Sequence, residues 1–235
     1  MRKWLRNTIP YTVRLQVKLF QRYLEECRNT FSYAKTWKEE RIGKEKIEEI
    51  QIIKKGAFFE NKIHNLKLAS EKIHHIVILP NEVFSFWKLV GNPSKKNGFR
   101  EGRNLINNKV SQDFGGGICQ LSSLLYYTSL EAGLKIIERN PHSMDIYKEH
   151  ERFSPLGSDC TVAFGYKDFQ FQNGYSFPIQ IACYVTDENM RVEIISNEKL
   201  KKKKISFTYS KTQNGVDVST SDEEKTLYKN FYLRI

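Results

Sequence analysis

The chain has 235 residues, of which 40% are hydrophobic, and it carries a formal net charge of +11 at pH 7. This composition supplies one good core with an extension rather than two full domains, and no run approaches the roughly 18 apolar residues of a membrane span. The positive charge indicates an anionic partner, either a phospholipid surface or a cell-wall polymer; nucleic acid is the weakest candidate because no nucleic-acid-binding motif accompanies the charge.

The first sixty residues predict a helical extension. Residues 1–10 are basic but lack the apolar region and small-residue cleavage site of a signal peptide. The localisation predicted by sequence is therefore cytoplasmic, and association with the cell envelope stays open.

Residues 11–26 carry apolar side chains at helical spacing, with basic residues between them. The stripe consists of Val13, Val17, Phe20 and Leu24. Such a helix either docks on the core by its apolar stripe or lies on an anionic membrane surface. The two acidic residues that follow favour docking.

The next elements lead into a main domain that we expect over residues 61–200. Three isoleucines at helical spacing predict a connector helix over residues 44–53. A helix is expected from residue 61 to residue 73, and a short buried strand over residues 76–79. Ser85 is placed to cap a helix start, and a further strand should end near Val110.

Neither the histidines nor the cysteines form a metal motif. His74 and His75 are adjacent and would point apart on a helix. The four cysteines contain no C-x-x-C pair, which excludes zinc-ribbon and thioredoxin motifs, and their wide spacing argues against a disulfide scaffold. No metal or cofactor is expected.

The central motif is Asp-Phe-Gly-Gly-Gly-Ile-Cys-Gln, residues 113–120, followed by an apolar helical run that ends at Gly133. Three glycines leave backbone N–H groups uncovered, and Cys119 falls at the start of the helix, where the dipole favours a thiolate. Most free cysteines simply pack in a core, as we expect for Cys160 and Cys183. The glycines and the helix start set Cys119 apart as a candidate nucleophile beside an oxyanion hole.

His142 is the candidate general base for this cysteine. It follows Cys119 by one helix and one predicted strand over residues 135–139. A helix of about four turns and a returning strand can bring the two residues together. An isolated histidine is otherwise usually structural, but its place after the helix favours a base.

The second half predicts an antiparallel sheet. Strands are expected over residues 161–171, 178–186 and 191–195, with Asn173–Gly174 as a hairpin turn. Residues 201–235 should form a basic run, one short strand and a polar, mobile stretch. The fold class is therefore α+β, with the cysteine helix packed on an antiparallel sheet.

The assembled motifs resemble the VanW family over roughly residues 76–185. The matching pieces are Phe84-Ser85-Phe86, Gly98-Phe99 with Gly102, residues 115–120, Glu138-Arg139 with His142-Ser143, and residues 157–159 through 168–173. One departure is Cys160, where the family usually has alanine. The order of cysteine helix, histidine and polar residue is also similar to papain-type hydrolases, but only as topology.

The resemblance implies a role in glycopeptide resistance and the cell wall, with peptidoglycan or its precursors as partner. Some VanW-like domains are associated with L,D-transpeptidation, which makes Cys119 the nucleophile and His142 its base. The orienting residue would be Asp159 first, Asp168 second or Asn173 third. The remaining residues of the expected oxyanion and substrate site are Gly116, Gly117, Gln120, Arg139 and Ser143.

Two alternatives stay open at this point. Arg139 either binds a substrate carboxylate or forms a structural ion pair. The protein is either a cysteine acyl-transfer enzyme or a non-catalytic module that binds cell-wall material. Cross-linking takes place outside the membrane, so an enzyme without an export signal is a conflict that the sequence leaves unresolved.

Overall fold

The structure is a computed structural model that describes residues 9–106, 109–145, 152 and 154–234. These residues form helices and strands in mixed order, with a 3-10 turn at Lys95–Asn97. In chain order the elements are α1 (Tyr11–Arg28), β1 (Thr36–Trp37), β2 (Glu45–Ile52), α2 (Phe59–Ile73), β3 (Ile76–Ile78), β4 (Val83–Ser85), α3 (Phe86–Val90), β5 (Glu101–Ile106), β6 (Lys109–Phe114), α4 (Cys119–Glu131), β7 (Lys135–Glu138), β8 (Met144–Asp145), β9 (Gln170–Gln172), β10 (Ile179–Val185), β11 (Asn189–Ser196), β12 (Ser206–Lys211), β13 (Gly215–Ser221) and β14 (Thr226–Arg234).

An antiparallel sheet of five strands, in the order β1-β3-β10-β11-β2, forms the centre of the fold. The inner strands β10 and β11 are apolar and largely buried, because helix α2 packs against β10 and helix α4 against β11 and β2. The predicted α+β class, with the cysteine-bearing helix on an antiparallel sheet, is confirmed.

The connector helix predicted over residues 44–53 is wrong, since this segment is the edge strand β2. It pairs with β11 along its whole length, from Glu45 opposite Ser196 to Ile52 opposite Asn189. The isoleucine spacing is helix-like, but the side chains do not share a face in the strand: Ile47 is buried and Ile50 is exposed to solvent. Pairing with a buried strand overrides a weak local pattern.

The mobile stretch predicted after residue 212 is also wrong. Strands β12, β13 and β14 form an antiparallel sheet with a small core of Val216, Val218 and Tyr232. Alternation in β13 puts the two valines inside and polar residues outside. Strand β14 pairs in parallel with β8, so this sheet reaches the segment that follows His142.

Two further strand predictions need correction. Within the strand predicted over residues 161–171, residues 163–167 instead form a tight turn closed by an Ala163–Lys167 bridge, and a strand begins only at β9. The Asn173–Gly174 turn does not make a hairpin, because β9 pairs with β4 and β7 while β10 belongs to the central sheet. The expected strand ending near Val110 is instead the hairpin of β5 and β6.

Helix α1 docks on the domain by the face opposite the one expected. Arg22 donates to both carboxylate oxygens of Glu138 at 2.9 and 2.8 Å and to the carbonyl of Gly165 at 3.2 Å, and Leu15 and Leu19 approach the same glycine. The stripe expected to dock is exposed: Val13, Val17, Phe20 and Leu24. Within the described ranges, no helix is long and apolar enough to cross a membrane.

Candidate functional site

The glycine loop before helix α4 is held in one conformation by close backbone packing. Gly115 and Gly117 have φ of +78° and +94°, a region that side chains disfavour. A Cβ on Gly116 would lie 2.2 Å from the carbonyl carbon of Gly102, so the two backbones touch. The Asn65 amide donates to the Gly116 carbonyl at 3.0 Å. The loop is therefore a rigid platform for the helix start.

Cys119 is the first residue of α4, as predicted, and its side chain is part-buried. Its Sγ lies 3.7 Å from Thr161 Oγ1 and 3.7 Å from the Val162 carbonyl oxygen. Among the described residues, the backbone N–H groups of Gly116, Gly117 and Cys119 have no acceptor, as expected for a helix N-terminus. The donors of Gly117 and Cys119, which line the cavity at this site, are of the kind that an oxyanion hole requires.

Burial raises the pKa of the Cys119 thiol above its ordinary value, and the contacts with Val162 and Thr161 lower it by less. The thiolate-favouring effect expected from the helix start is therefore outweighed by desolvation. In the resting protein Cys119 is a neutral thiol that donates to the Val162 carbonyl, and it needs a base to become a nucleophile.

His142 lines the same cavity as Cys119. It lies in the segment between β7 and β8, which the parallel pairing with β14 holds in place. Burial lowers the pKa of its imidazole, with the Asp159 charge opposing that shift, so the ring is neutral at pH 7 and able to accept a proton. The structure thus brings the two expected residues to one site, and their chemical roles stay predictions.

Asp159 holds His142 by the backbone. Its Oδ2 accepts from the His142 amide at 2.6 Å, and its Oδ1 accepts from the Tyr232 hydroxyl at 2.5 Å and from Arg139 Nη2 at 3.2 Å. None of these bonds reaches the imidazole ring. Asp159 therefore positions the backbone of His142. The predicted bond that would fix the tautomer of the His142 ring is not among the contacts of Asp159.

Arg139 does not point into the cavity, so its expected contact with a substrate carboxylate is not supported. Its guanidinium is almost fully buried, donates to the Asp159 and Gly157 carbonyls at 2.8 and 3.0 Å, and stacks on the Tyr126 ring at 4.9 Å. It also donates to Asn230 Oδ1. The structural ion pair, the second of the two alternatives, is the one observed.

Asp168 and Asn173 lie outside the cavity, bonded within the core. Asp168 accepts from Ser85 Oγ at 2.6 Å, from the Trp87 amide at 3.1 Å and from Gln170 Nε2 at 2.9 Å, which secures the start of α3. Asn173 donates to the Ile78 and Phe177 carbonyls at 2.9 Å. These contacts favour structural roles over the predicted role of orienting His142.

The expected binding residues divide into two groups. Gly117 and Gln120 line the cavity, whereas Gly116 is buried behind it and Ser143 is exposed outside the lining. The Gln120 amide donates to the Ile52 carbonyl at 2.9 Å, and its Oε1 is buried without a partner among the described residues. Gln120 is thereby fixed with a free acceptor beside Cys119.

Most residues of the cavity wall could not be predicted from the sequence. The cavity has a volume of about 520 Å³. Its remaining walls come from β5, from α2, from the segment between β2 and α2, and from the segment after β8. The cationic residues of these walls are Lys54, Lys55, Lys62, Arg103 and Arg152. No local signal marks them, since they come from separate elements. Across the described parts of the chain, no group of three or more His, Cys, Asp or Glu side chains is arranged to hold a metal ion.

Fold and site together define a mixed α+β domain with a cysteine at a helix start and a histidine in one cavity. The family model described as "VanW like protein" matches residues 61–195, more than half of the chain, and the chain belongs to this family. Residues outside the match complete the fold, because β2 extends the central sheet and Tyr232 of β14 bonds to Asp159.

Two curated relatives match over 139 residues, or 59% of the chain. The chain is 34% identical to "Uncharacterized protein YoaR" of Bacillus subtilis, covering 44% of that protein. It is 33% identical to "Vancomycin B-type resistance protein VanW" of Enterococcus faecalis, covering 50% of that protein. The match thus spans about half the length of either relative. No solved structure matches the chain.

Proposed function

We propose that this protein catalyses cysteine-dependent acyl transfer on peptidoglycan stem peptides, in the manner of an L,D-transpeptidase. The observation that supports the proposal is that Cys119, at a helix start with unpaired N–H groups, shares one cavity with a neutral His142. The printed name of the enterococcal relative links that protein to vancomycin resistance, which favours a substrate in cell-wall synthesis.

The chemistry divides into two steps. The His142 imidazole takes the Cys119 proton as the sulfur attacks an amide carbonyl of the donor peptide, and the Gly117 and Cys119 N–H groups donate to the oxyanion. The tetrahedral intermediate collapses, the imidazolium returns its proton to the departing amine, and a thioester remains on Cys119. An amine of a second peptide then attacks the thioester, His142 takes the amine proton, and the thiol is regenerated with a new amide bond.

A neutral Cys119 thiol is compatible with this order of reaction steps. Since burial raises the pKa of Cys119, deprotonation is coupled to attack by general-base catalysis rather than completed beforehand. Asp159 contributes by holding the His142 backbone, and buried Arg139 holds Asp159.

A non-catalytic module that binds cell-wall material is the second candidate. It is favoured by the contacts of the Cys119 sulfur, which are with Thr161 and Val162 rather than with His142, and by the basic lining of the cavity. In this alternative the cavity retains an anionic wall precursor without reaction.

A cross-linking assay separates the two candidates. The purified protein is incubated with a synthetic stem tetrapeptide as donor and a second stem peptide as acceptor, and products are followed by mass spectrometry. We expect a cross-linked or hydrolysed product that Cys119→Ala and His142→Ala each abolish, while Cys27→Ala, which changes an exposed cysteine outside the cavity, leaves it unchanged. Binding without any product would support the module instead.

A further inference from the structure

Lys62 is a half-buried lysine beside the proposed nucleophile. It lies on α2, and its aliphatic stem packs on the glycine loop: a Cβ on Gly117 would lie 2.6 Å from Lys62 Cγ. The side chain lines the same cavity as Cys119. Among the described residues it has no ion pair, in contrast to Lys67 on the same helix, which binds Asp187 at 2.9 Å.

A second cation, Arg103 of β5, lines the same cavity. Burial lowers the pKa of Lys62 to about 8, and the charge of Arg103 contributes to that shift. The two like charges therefore interact, yet neither has a carboxylate partner within the described parts of the chain. Lys62 is half-buried and Arg103 is exposed, so two like charges meet at the partly desolvated wall of the cavity, an arrangement that favours the binding of an anion.

The carboxylates of the cavity are already used by other groups. Asp159 accepts from Tyr232, Arg139 and the His142 amide. Asp145 binds Arg152. The described cavity wall therefore offers Lys62 and Arg103 no free carboxylate, and an anionic ligand would supply the counter-charge.

We propose that Lys62 and Arg103 form a binding subsite for a carboxylate of the substrate, next to Cys119. A guanidinium binds a carboxylate by two parallel hydrogen bonds, and an ammonium adds a compact charge. The identity of the anion as a stem-peptide carboxylate rests on the proposed function, whereas the presence of the subsite does not.

Alkylation of Cys119 tests the subsite without any turnover. Iodoacetate and iodoacetamide react with a thiolate by the same displacement of iodide and differ in that the first carries a carboxylate. The ratio of their rates therefore reports the charge around Cys119. A change in the pKa of the thiol alters both rates by the same factor and leaves the ratio unchanged. The measurement uses Cys27→Ser protein, since Cys27 is exposed while Cys160 and Cys183 are buried.

We expect the ratio to exceed that of free cysteine and to fall by about tenfold in Lys62→Met with Arg103→Gln, with a smaller effect at high salt. Met keeps the stem that packs on Gly117, Lys62→Arg should preserve the ratio, and Lys67→Gln is the matched control outside the cavity. An unchanged ratio in the double variant, or no alkylation by either reagent, would overturn the proposal. If the ratio responds but stem peptides are never cross-linked, the subsite stands and the proposed function fails.

A different observation supports a second inference, on helix α1. The face opposite its docked side carries the exposed apolar stripe Val13, Val17, Phe20 and Leu24, and no residue of the helix is fully buried. Arg14 and Arg28 flank this stripe, Tyr11 and Tyr23 are also exposed, and the sequence just before the helix contains Arg2, Lys3, Trp4 and Arg6.

We infer that this stripe docks on an anionic lipid bilayer. An apolar face with basic and aromatic neighbours is typical of helices that lie in the membrane interface, and polybasic segments add attraction to acidic headgroups. The net charge of +11 complements such a surface. A wall polymer would use the cations but leave the apolar side chains exposed to water.

Vesicle sedimentation tests this docking. The full chain should bind vesicles that contain phosphatidylglycerol and bind pure phosphatidylcholine vesicles weakly. Val17→Ser with Phe20→Ser should reduce the affinity by about tenfold or more, while Ile50→Ser with Ile52→Ser, an exposed apolar pair on β2, should not. Equal binding by both double variants, no binding to anionic vesicles, or a concentration-dependent dimer that the α1 variant abolishes would overturn it.

Discussion

His142 and Asp159 are joined through the peptide backbone: the His142 amide donates to Asp159 Oδ2 at 2.6 Å. Asp159 in turn binds Arg139, which directly follows β7, and Tyr232 of β14. The position of the histidine is therefore coupled to the packing of the C-terminal sheet rather than to a direct carboxylate–imidazole bond. Stability and activity should respond together when this link is cut.

Asp159→Asn removes the carboxylate and leaves the buried Arg139 guanidinium without its counter-charge. We expect the free energy of unfolding to fall by about 3 kcal/mol, because breaking one side of a buried pair exposes an uncompensated charge to the protein interior. Urea unfolding measures this. Asp187→Asn breaks the exposed pair with Lys67 and should change stability by less than about 1 kcal/mol; equal effects would contradict the structural role of Asp159.

The pH dependence of turnover should follow His142. The imidazole acts as a base only when neutral, so kcat/KM falls as the pH drops through its pKa. Burial lowers that pKa below the ordinary value of 6.5, so activity should persist to more acidic pH than for a free imidazole. The raised pKa of Cys119 should place any thiolate-dependent change on the alkaline side. An acidic limb that lies above pH 6.5 would be inconsistent with a neutral, buried His142.

The same histidine makes stability depend on pH. Its folded-state pKa is lower than its unfolded-state pKa, so the unfolded chain binds the proton first as the pH falls. The contribution is fully present above pH 6.5 and is lost as the pH falls through the folded-state pKa. His142→Gln should flatten this part of the stability profile measured by urea unfolding at several pH values, and an unchanged profile would argue against the burial effect.

Gly116→Ala should disrupt the platform under Cys119. The new Cβ would lie 2.2 Å from the Gly102 backbone, and neither backbone segment can yield cheaply. We expect a loss of about 1–3 kcal/mol in stability together with slower alkylation or turnover at Cys119. Gly174→Ala is the control, because a Cβ there meets no atom within 4 Å. Equal thermal midpoints for the two variants would refute the close-packing argument.

The Asp168→Asn variant distinguishes a structural role of Asp168 from a role in orienting His142. Four donors, including Ser85 Oγ and the Trp87 amide, bind Asp168 in the core, and the replacement amide cannot accept from all of them. Stability should fall by about 1–3 kcal/mol, while kcat of the folded protein stays near wild type at a temperature below the transition. A large loss of kcat without loss of stability would instead support the predicted role of Asp168 in orienting His142.

Local signals in the sequence were sufficient for the parts of the site that depend on local geometry. Cys119 begins its helix because the glycine loop precedes it, Gly133 follows its end with φ of +63°, and Ser85 caps α3 by accepting from the Lys88 amide. Each of these features is decided by a few neighbouring residues, so a sequence pattern can reveal it.

Features that depend on distant partners could not be predicted in this way. The burial of Arg139 depends on Tyr232 and Asn230, which lie in the segment expected to be a polar tail. Lys62 reaches the cavity only because α2 packs beside the glycine loop. Strand β2 forms because β11 offers it a complete pairing edge, against an isoleucine spacing that suggests a helix. Tertiary context decided all three.

The most direct test of the proposed acyl transfer is the intact mass of the protein after brief incubation with a stem tetrapeptide and rapid acid quenching. We predict a mass increase equal to the donor acyl group, located on Cys119 by peptide mapping, absent in Cys119→Ala, and strongly reduced in His142→Ala. The adduct should disappear when an acceptor amine is added. A wild-type protein that binds the peptide but never carries an acyl group on Cys119 would contradict the account.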